Sequence, residues 1–209
     1  MSLGRRSLTY AAAIFTALVL TLFVGWWRVD GPGASSISTS LPLPLTQMEF
    51  KLTNQDDNPV DPTTLLGAPS MVFFGFTNCP DVCPTTLADI TGWLEDLAGD
   101  AAGMNVVFIT VDPERDTVAA MAKYISYFHP AIQGWTGSPK QTARAAAAFR
   151  AKYEKVQIGE DDYSMNHTSS VFLFNANGRF TTAIDYHEPR EFAVPKIRRA
   201  LELHDGSGG

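Results

Sequence analysis

A continuous apolar run, Met71–Phe76 (MVFFGF), is the feature that most constrains the fold of this 209-residue chain. A strand with one wet face alternates apolar and polar residues, whereas an unbroken apolar run is typical of a strand buried on both faces. Asn105–Val111 (NVVFITV) is a second, mostly apolar run, and apolar residues at helical spacing lie between the two, over Thr85–Leu97. Two buried strands joined by a helix predict a parallel β-α-β unit.

The second half of the chain predicts further helices and an antiparallel hairpin. An alanine-rich segment after Ser138 has the N-cap and the composition of a helix. The Asn177-Gly178 pair between two apolar segments is typical of a hairpin turn, and a last helix is predicted over about Pro195–Leu203. We therefore predict an α/β fold, with a mixed sheet flanked by helices.

The first thirty residues predict a membrane anchor. Leu8–Trp27 has no charged side chain, and its 20 residues as a helix would span about 30 Å, the thickness of a bilayer core. Because Arg5 and Arg6 precede this segment, the positive-inside rule places the N-terminus in the cytoplasm and the rest of the chain across the membrane. A cleaved signal peptide is the alternative. It is disfavoured because Pro32 would occupy position −3 of the nearest cleavage site.

The sequence thus predicts a cytoplasmic N-terminus (1–7), a transmembrane anchor (8–27), a Gly/Ser/Pro-rich linker (28–46), a folded domain (47–204) and a flexible tail (205–209). No Arg/Ser-rich presequence precedes the anchor. This favours a single-pass protein of a bacterial inner (cytoplasmic) membrane, with its domain in the periplasm, over the mitochondrial inner membrane. A net charge of −6 without a dense Lys/Arg run argues against nucleic-acid binding.

Cys79 and Cys83, the two cysteines of the chain, are the strongest candidates for chemistry. They lie where the first strand leads into a helix, and the helix N-terminus favours the thiolate form. A Cys-x3-Cys at this junction favours a thioredoxin-like arrangement, since open α/β sheets place their sites at the carboxyl ends of strands. The spacing leaves three interpretations open: a structural disulfide, a redox-active pair and a metal site.

Two thiolates are too few for structural zinc but suit Cu(I), a soft ion that an additional imidazole would complete. Of the four histidines, His204 falls in the predicted tail, His129 follows a helix and His187 follows the last predicted strand. His167 precedes the strand SSVFLF, in a loop at the sheet edge that could reach the cysteines. A structural role for His167 stays open, and Met165 is a second soft candidate that packing also explains.

Three separated motifs closely resemble the Sco/SenC family: FFGFTNCPDVCPTTL, FITVDPERDT and YSMNHTSSVFLFNANGRF. This family comprises membrane-anchored copper proteins of cytochrome c oxidase assembly, and the resemblance covers roughly residues 45–203. It implies a thioredoxin-like fold. It also implies that Cys79, Cys83 and His167 bind one copper ion, Cu(I) and also Cu(II), while the cysteines can cycle between dithiol and disulfide. For Asp112, in the second motif, we predict only that it caps a turn.

The resemblance implies a metallochaperone that receives copper from an upstream donor protein. It would deliver the ion to the binuclear copper site of cytochrome c oxidase subunit II. The alternative is a thiol–disulfide oxidoreductase that reduces the cysteines of the copper-receiving protein, with Cys79 and Cys83 as its redox pair and no need for His167. A peroxiredoxin-like peroxidase is disfavoured, because Phe76 rather than a threonine lies three residues before Cys79.

Overall fold

The computed structural model describes residues 3–29, 41–160 and 162–202. Predictions for the first two positions, for residues 30–40 of the linker, and for the tail with His204 lie outside the described residues. The chain divides into two compact units between Ser40 and Leu41.

The N-terminal unit contains the helix α1, Leu3–Val29. Its described side chains, at positions 10 and 13–26, are exposed. Among the described residues, no helix has both the length and the apolar character that crossing a membrane requires. The transmembrane anchor over Leu8–Trp27 therefore stays a prediction.

The C-terminal unit contains the strands and the remaining α-helices of the described residues. Its described strands are β1 (Leu52–Asn54), β2 (Pro59–Val60), β3 (Ser70–Gly75), β4 (Asn105–Thr110), β5 (Ile132–Thr136), β6 (Tyr153–Gln157), β7 (Tyr163–His167), β8 (Val171–Phe174) and β9 (Phe180–Ile184). Its described α-helices are α2 (Val82–Leu97), α3 (Val118–Ile125), α4 (Pro139–Phe149) and α5 (Arg190–Glu202).

The main sheet has the strand order β2-β1-β5-β4-β3-β8-β9. Its centre is parallel, since β3 pairs with β4 and β4 with β5 in the same direction. Antiparallel strands flank this centre: β1 beside β5, β8 beside β3, and β9 beside β8. The mixed sheet is therefore confirmed. Strands β6 and β7 form a separate antiparallel pair.

The core lies on both faces of β3, whose six residues are all buried. Side chains alternate along a strand, so Phe73 and Phe74 point to opposite faces. Phe73 stacks on Phe108 of β4, with 5.8 Å between the ring centroids, and Phe108 in turn contacts Tyr124 of α3. Phe74 contacts Phe149 of α4 at 5.3 Å. Helices thus cover both faces of the sheet, as predicted.

Four features differ from the prediction. Strand β5, in the parallel centre of the sheet, was not predicted, because Gln133 and Gly134 interrupt its apolar residues. The last helix begins at Arg190 rather than Pro195, because the carbonyl of Pro189 accepts the N–H groups of Phe192 and Ala193 and so opens an earlier turn. Leu45, within the predicted linker, is buried and donates its N–H to the carbonyl of Gly178. The pair β6–β7 was not predicted at all, because its sequence is mostly polar and it pairs outside the main sheet.

Candidate metal site

The two cysteines lie on either side of the start of α2, just beyond the carboxyl end of β3. Cys79 precedes the helix, whereas Cys83 is its second residue. The Sγ of Cys79 accepts the backbone N–H of Cys83 at 3.4 Å. Among the described residues, the N-cap residue Asp81 makes no side-chain capping bond, so the sulfur satisfies one of the free donors of the first turn. With the Cys-x3-Cys spacing, the sulfur of Cys79 therefore caps α2, and the sulfur of Cys83 lies within its first turn.

Cys83 is buried, and its sulfur lies against the backbone of β3. A Cβ atom placed on Gly75 would be 2.5 Å from the Sγ of Cys83 and 2.7 Å from the ring of Phe108. Such distances are far inside van der Waals contact, so the sulfur occupies space that only a glycine leaves free. Cys79, in contrast, is only partly buried. The site is therefore closed at Cys83 and open towards Cys79.

His167 reaches the same site from β7, of which it is the last residue. Its Nε2 lies 3.4 Å from the Sγ of Cys83, and its Nδ1 lies 3.0 Å from the carbonyl oxygen of Thr168. Because a carbonyl only accepts, Nδ1 is the donor in this contact, and Nε2 is the ring nitrogen that faces the sulfurs. The rings of Phe73 and Phe76 lie edge-on to the imidazole, at 6.1 and 5.9 Å between centroids.

The structure brings all three predicted site residues together. The two sulfurs and a ring nitrogen of His167 lie within 4.8 Å of one another, and no other metal-ligating cluster of Cys, His, Asp and Glu occurs among the described residues. His167 ends a strand rather than lying in a loop, and Met165, two residues before it, is packed in the hydrophobic core. His187 is exposed, and its ring lies at a tilt against the ring of Tyr186.

The two thiols have opposite proton affinities. The thiol of Cys83 hydrogen-bonds to Cys79 and lowers the pKa of Cys79 to about 4. Partial burial of Cys79 opposes this shift, and a contact with His167 adds to it. The same hydrogen bond, together with burial, raises the pKa of Cys83 above its ordinary value. In the metal-free pair, Cys79 is thus the thiolate and Cys83 holds the shared proton, so a metal ion that binds both sulfurs displaces that proton.

This donor set fits a soft metal ion. Two thiolates and one imidazole are ligands that Cu(I) accepts, and the imidazole also suits Cu(II). Structural zinc takes four protein ligands, whereas this cluster offers three and has an open side. The arrangement can therefore hold an ion that a further, external ligand can reach.

The loop between β4 and α3 supplies two buried carboxylates that the sequence analysis did not assign to the site. The carboxylate of Asp112 binds Arg115 and accepts a hydrogen bond from the hydroxyl of Tyr163 on β7. Asp116 accepts hydrogen bonds from Thr77, two residues before Cys79. The available signal was the position of DPERDT directly after a buried parallel strand, where the loops of such sheets form sites. The predicted turn at Asp112 is made by its backbone carbonyl, which accepts the N–H groups of Arg115 and Asp116.

A mixed sheet with two cysteines at the first strand–helix junction, completed by a histidine from a separate hairpin, defines a thioredoxin-like protein with a three-residue site for a soft metal. The chain belongs to the SCO1/SenC family, whose family profile matches residues 39–202. The resemblance seen in the sequence is thereby confirmed.

Known relatives agree with this assignment. The mitochondrial SCO2 homologue of Mus musculus is 38% identical over 158 residues, which make up 74% of this chain and 62% of that protein. This chain thus spans about three fifths of the length of that relative.

Solved structures extend the likeness to the fold. The copper-bound structure of Bradyrhizobium japonicum ScoI superimposes with a TM-score of 0.69 at 37% identity, covering 77% of this chain and 99% of that one. The structure of BsSco, described as a member of the Sco family of cytochrome c oxidase assembly proteins and as containing a disulfide switch, has a TM-score of 0.61 at 23% identity, covering 78% of this chain and 96% of that one. These neighbours confirm the predicted thioredoxin-like fold.

Proposed function

We propose that this chain is a copper metallochaperone that holds one copper ion at Cys79, Cys83 and His167. The observation that carries this proposal is the convergence of two sulfurs and an imidazole nitrogen within 4.8 Å. These donors come from two separate parts of the fold, the β3–α2 junction and strand β7. The copper-bound state of the similar B. japonicum protein supports copper as the ion.

The proposed cargo route runs from an upstream copper donor protein to the binuclear copper site of cytochrome c oxidase subunit II. A three-ligand site lets a ligand of the partner enter on the open side, so that copper moves by ligand exchange without ever being free. Cys79 and His167 are partly exposed and would exchange first, while the buried Cys83 would release the ion last. The place of BsSco in a family of oxidase assembly proteins supports this acceptor.

The proposed location is a bacterial inner membrane, with α1 as the anchor and the C-terminal unit in the periplasm. The uncharged stretch of Leu8–Trp27 and the two arginines before it support this orientation. Membrane anchoring would keep the site near an oxidase subunit in the same membrane.

A second function, thiol–disulfide exchange, is favoured by the asymmetry of the cysteine pair. Cys79 is the more exposed sulfur and the one with the lowered pKa, which suits a nucleophile, and the buried Cys83 suits the resolving thiol. Cys79 would attack a disulfide of the copper-receiving protein and form a mixed disulfide. Cys83 would pass its proton to the released partner thiolate and attack the Cys79 sulfur. The mixed disulfide would break and release the second partner sulfur as a thiolate, which takes a proton from water, so that the partner has two thiols and this chain has a disulfide.

Titration of the reduced full chain with Cu(I), without oxygen and against a competing chelator, tests the copper function. We expect one tightly bound ion per chain. We expect His167→Ala to weaken binding by roughly 100-fold, which corresponds to about 2.8 kcal/mol. His187→Ala is the matched control, because it removes an exposed imidazole outside the cluster and should leave the affinity unchanged.

Copper affinity that is equal in the wild type and in His167→Ala would contradict the proposed site. The oxidoreductase function would then become the better account of the cysteines. It would be tested by the reduction of an oxidised two-cysteine partner.

A further inference from the structure

The segment Val111–Thr117, between β4 and α3, contacts both halves of the candidate metal site. Its two buried carboxylates have different partners: Asp116 binds the segment that leads to the cysteines, and Asp112 binds the strand that carries His167. We propose that this segment sets the geometry of the site, with Asp116 positioning Cys79 and Asp112 positioning His167. The inference rests on the proposed function, because it assigns residues that hold the three ligands in place.

Asp116 acts on the cysteine side. It is fully buried, and its carboxylate accepts three hydrogen bonds. The backbone N–H of Thr77 donates at 3.0 Å, the hydroxyl of Thr77 at 2.6 Å, and the hydroxyl of Thr110, at the end of β4, at 2.5 Å. Thr77 lies between the end of β3 and Cys79. Asp116 therefore fixes the direction in which the chain leaves the sheet before it reaches the first sulfur.

Asp112 acts on the histidine side, through Arg115 and Tyr163. Its carboxylate is buried, pairs with the Nε of Arg115 and accepts the Tyr163 hydroxyl at 2.9 Å. The Nη1 of Arg115 donates to the backbone carbonyl of Tyr163 at 2.9 Å, and its guanidinium lies 3.8 Å from the centroid of the Tyr163 ring. Tyr163 is thereby held by its backbone, its ring and its hydroxyl.

The position of Tyr163 matters because of where β7 lies. Strand β7 begins at Tyr163 and ends at His167, and among the described strands it pairs only with β6. Among the described residues, β7 itself therefore has no strand pairing with the main sheet, and its His167 end joins the sheet only through residues 168–170, which lead into β8. The contacts of Asp112 and Arg115 with Tyr163 attach one end of this strand to the loop that also holds Thr77. The position of His167 is thus set from both ends of β7: by the short link to β8, and by a loop that contains no ligand and holds Tyr163.

The imidazole of His167, observed by nitrogen NMR in the metal-free reduced full chain, tests the histidine half without copper. We expect Asp112→Asn and Tyr163→Phe to shift the His167 ring resonances and to broaden them. Glu95→Gln is the matched control, because it removes an exposed carboxylate of α2 that lies outside the segment Val111–Thr117. Unchanged His167 resonances in both variants, with their fold intact by circular dichroism, would overturn this half.

Copper affinity separates positioning of His167 from a general loss of structure. We expect Asp112→Asn to weaken Cu(I) binding about tenfold or more in the wild-type background, within the range known for residues that orient metal ligands. In the His167→Ala background, the same change should have no further effect. An equal loss in both backgrounds would show that Asp112 acts on the whole domain and would contradict the proposal.

The midpoint potential of the Cys79–Cys83 couple tests the cysteine half. We expect Asp116→Asn to shift it, while Tyr163→Phe leaves it unchanged because its contacts lie on the histidine side. Equal shifts in both variants, or no shift in Asp116→Asn, would overturn the division of roles. If the wild-type chain binds no copper, the proposed function fails, whereas the NMR and potential measurements still decide the present inference.

Discussion

At the scale of single residues, Gly75 has the sharpest requirement in the site. The Sγ of Cys83 occupies the space where a Cβ on Gly75 would lie. We expect Gly75→Ala to destabilise the reduced protein by about 1–3 kcal/mol, the usual effect of overpacking a core. The change should also weaken Cu(I) binding, because the sulfur must move. Urea unfolding and copper titration measure the two effects.

Gly92 provides the matched control for this substitution. It lies within α2, and a Cβ at this position would meet nothing within 4 Å among the described residues. Gly92→Ala should therefore raise stability by up to about 1 kcal/mol, since alanine favours a helix over glycine. Copper affinity should stay unchanged. If Gly75→Ala behaved like Gly92→Ala, the close approach of Cys83 to β3 would not constrain the site.

At the scale of secondary-structure elements, the end of α4 contains a local strain that can be relieved. Arg150 ends this helix in the left-handed region, with φ of +58°, and its backbone N–H bonds to the carbonyls of Ala146 and Ala147. A non-glycine residue in this region raises the free energy of the folded state by roughly 1–2 kcal/mol. Glycine removes this strain, but part of the benefit is lost because glycine gives the unfolded chain more conformational entropy. We expect Arg150→Gly to raise the free energy of unfolding by up to about 1 kcal/mol.

The control for Arg150→Gly is Ala147→Gly, at an exposed position one turn earlier in α4. There glycine should lower the free energy of unfolding by about 1 kcal/mol. The backbone at this position is right-handed helical, so the ability of glycine to adopt a positive φ gives no benefit. Both changes are measured by urea unfolding. A loss of stability in Arg150→Gly would mean that the arginine side chain contributes more than its backbone strain costs.

At the scale of the whole C-terminal unit, the site joins two parts of unequal burial. Every residue of β3 is buried, whereas β6 is mostly exposed and pairs with β7 alone among the described strands. Stretches with few buried contacts open more easily. We therefore expect the amides of β6 and β7 to exchange with deuterium faster than those of β3 and β4 in the metal-free protein.

Copper should change this pattern by connecting His167 to the cysteines. Exchange at β7 should slow on addition of Cu(I) to the wild type and remain fast in His167→Ala. Protection that rises equally over the whole unit, in both proteins, would contradict a metal bridge between β7 and the β3–α2 junction.

The same contrast explains how much of the fold could be predicted from the sequence. Strands β3 and β4 were predicted because burial on both faces requires a continuous apolar run, and the β8–β9 hairpin because its turn contains Asn177-Gly178. Strand β6 has the sequence YEKVQ, in which neither an apolar run nor a strict alternation marks a strand. Its existence depends on pairing with β7, which local patterns do not specify.

The candidate site was predictable to a similar degree. The sequence identified Cys79 and Cys83 by their position after β3 and made His167 a candidate by its position before β8, and the family resemblance then assigned His167 as a ligand. The contact of Asp116 with Thr77 joins residues 39 positions apart, so it depends on the parallel pairing of β3 with β4. The requirement for glycine at position 75 likewise could not be predicted, because it depends on the Sγ of Cys83 packing against that position.

The sulfur of Cys79 is both a candidate ligand and the N-terminal cap of α2. Metal binding or oxidation at this sulfur therefore also affects the start of the helix. A charged acceptor binds an N–H group more strongly than a neutral one. The bond from the Cys83 amide therefore weakens when the charge on the sulfur is shared with a metal ion or lost in a disulfide. Pro80 and Asp81, beside this bond, are exposed. A partner that touches the start of α2 can thus distinguish an empty, a loaded and an oxidised protein before any ligand is exchanged.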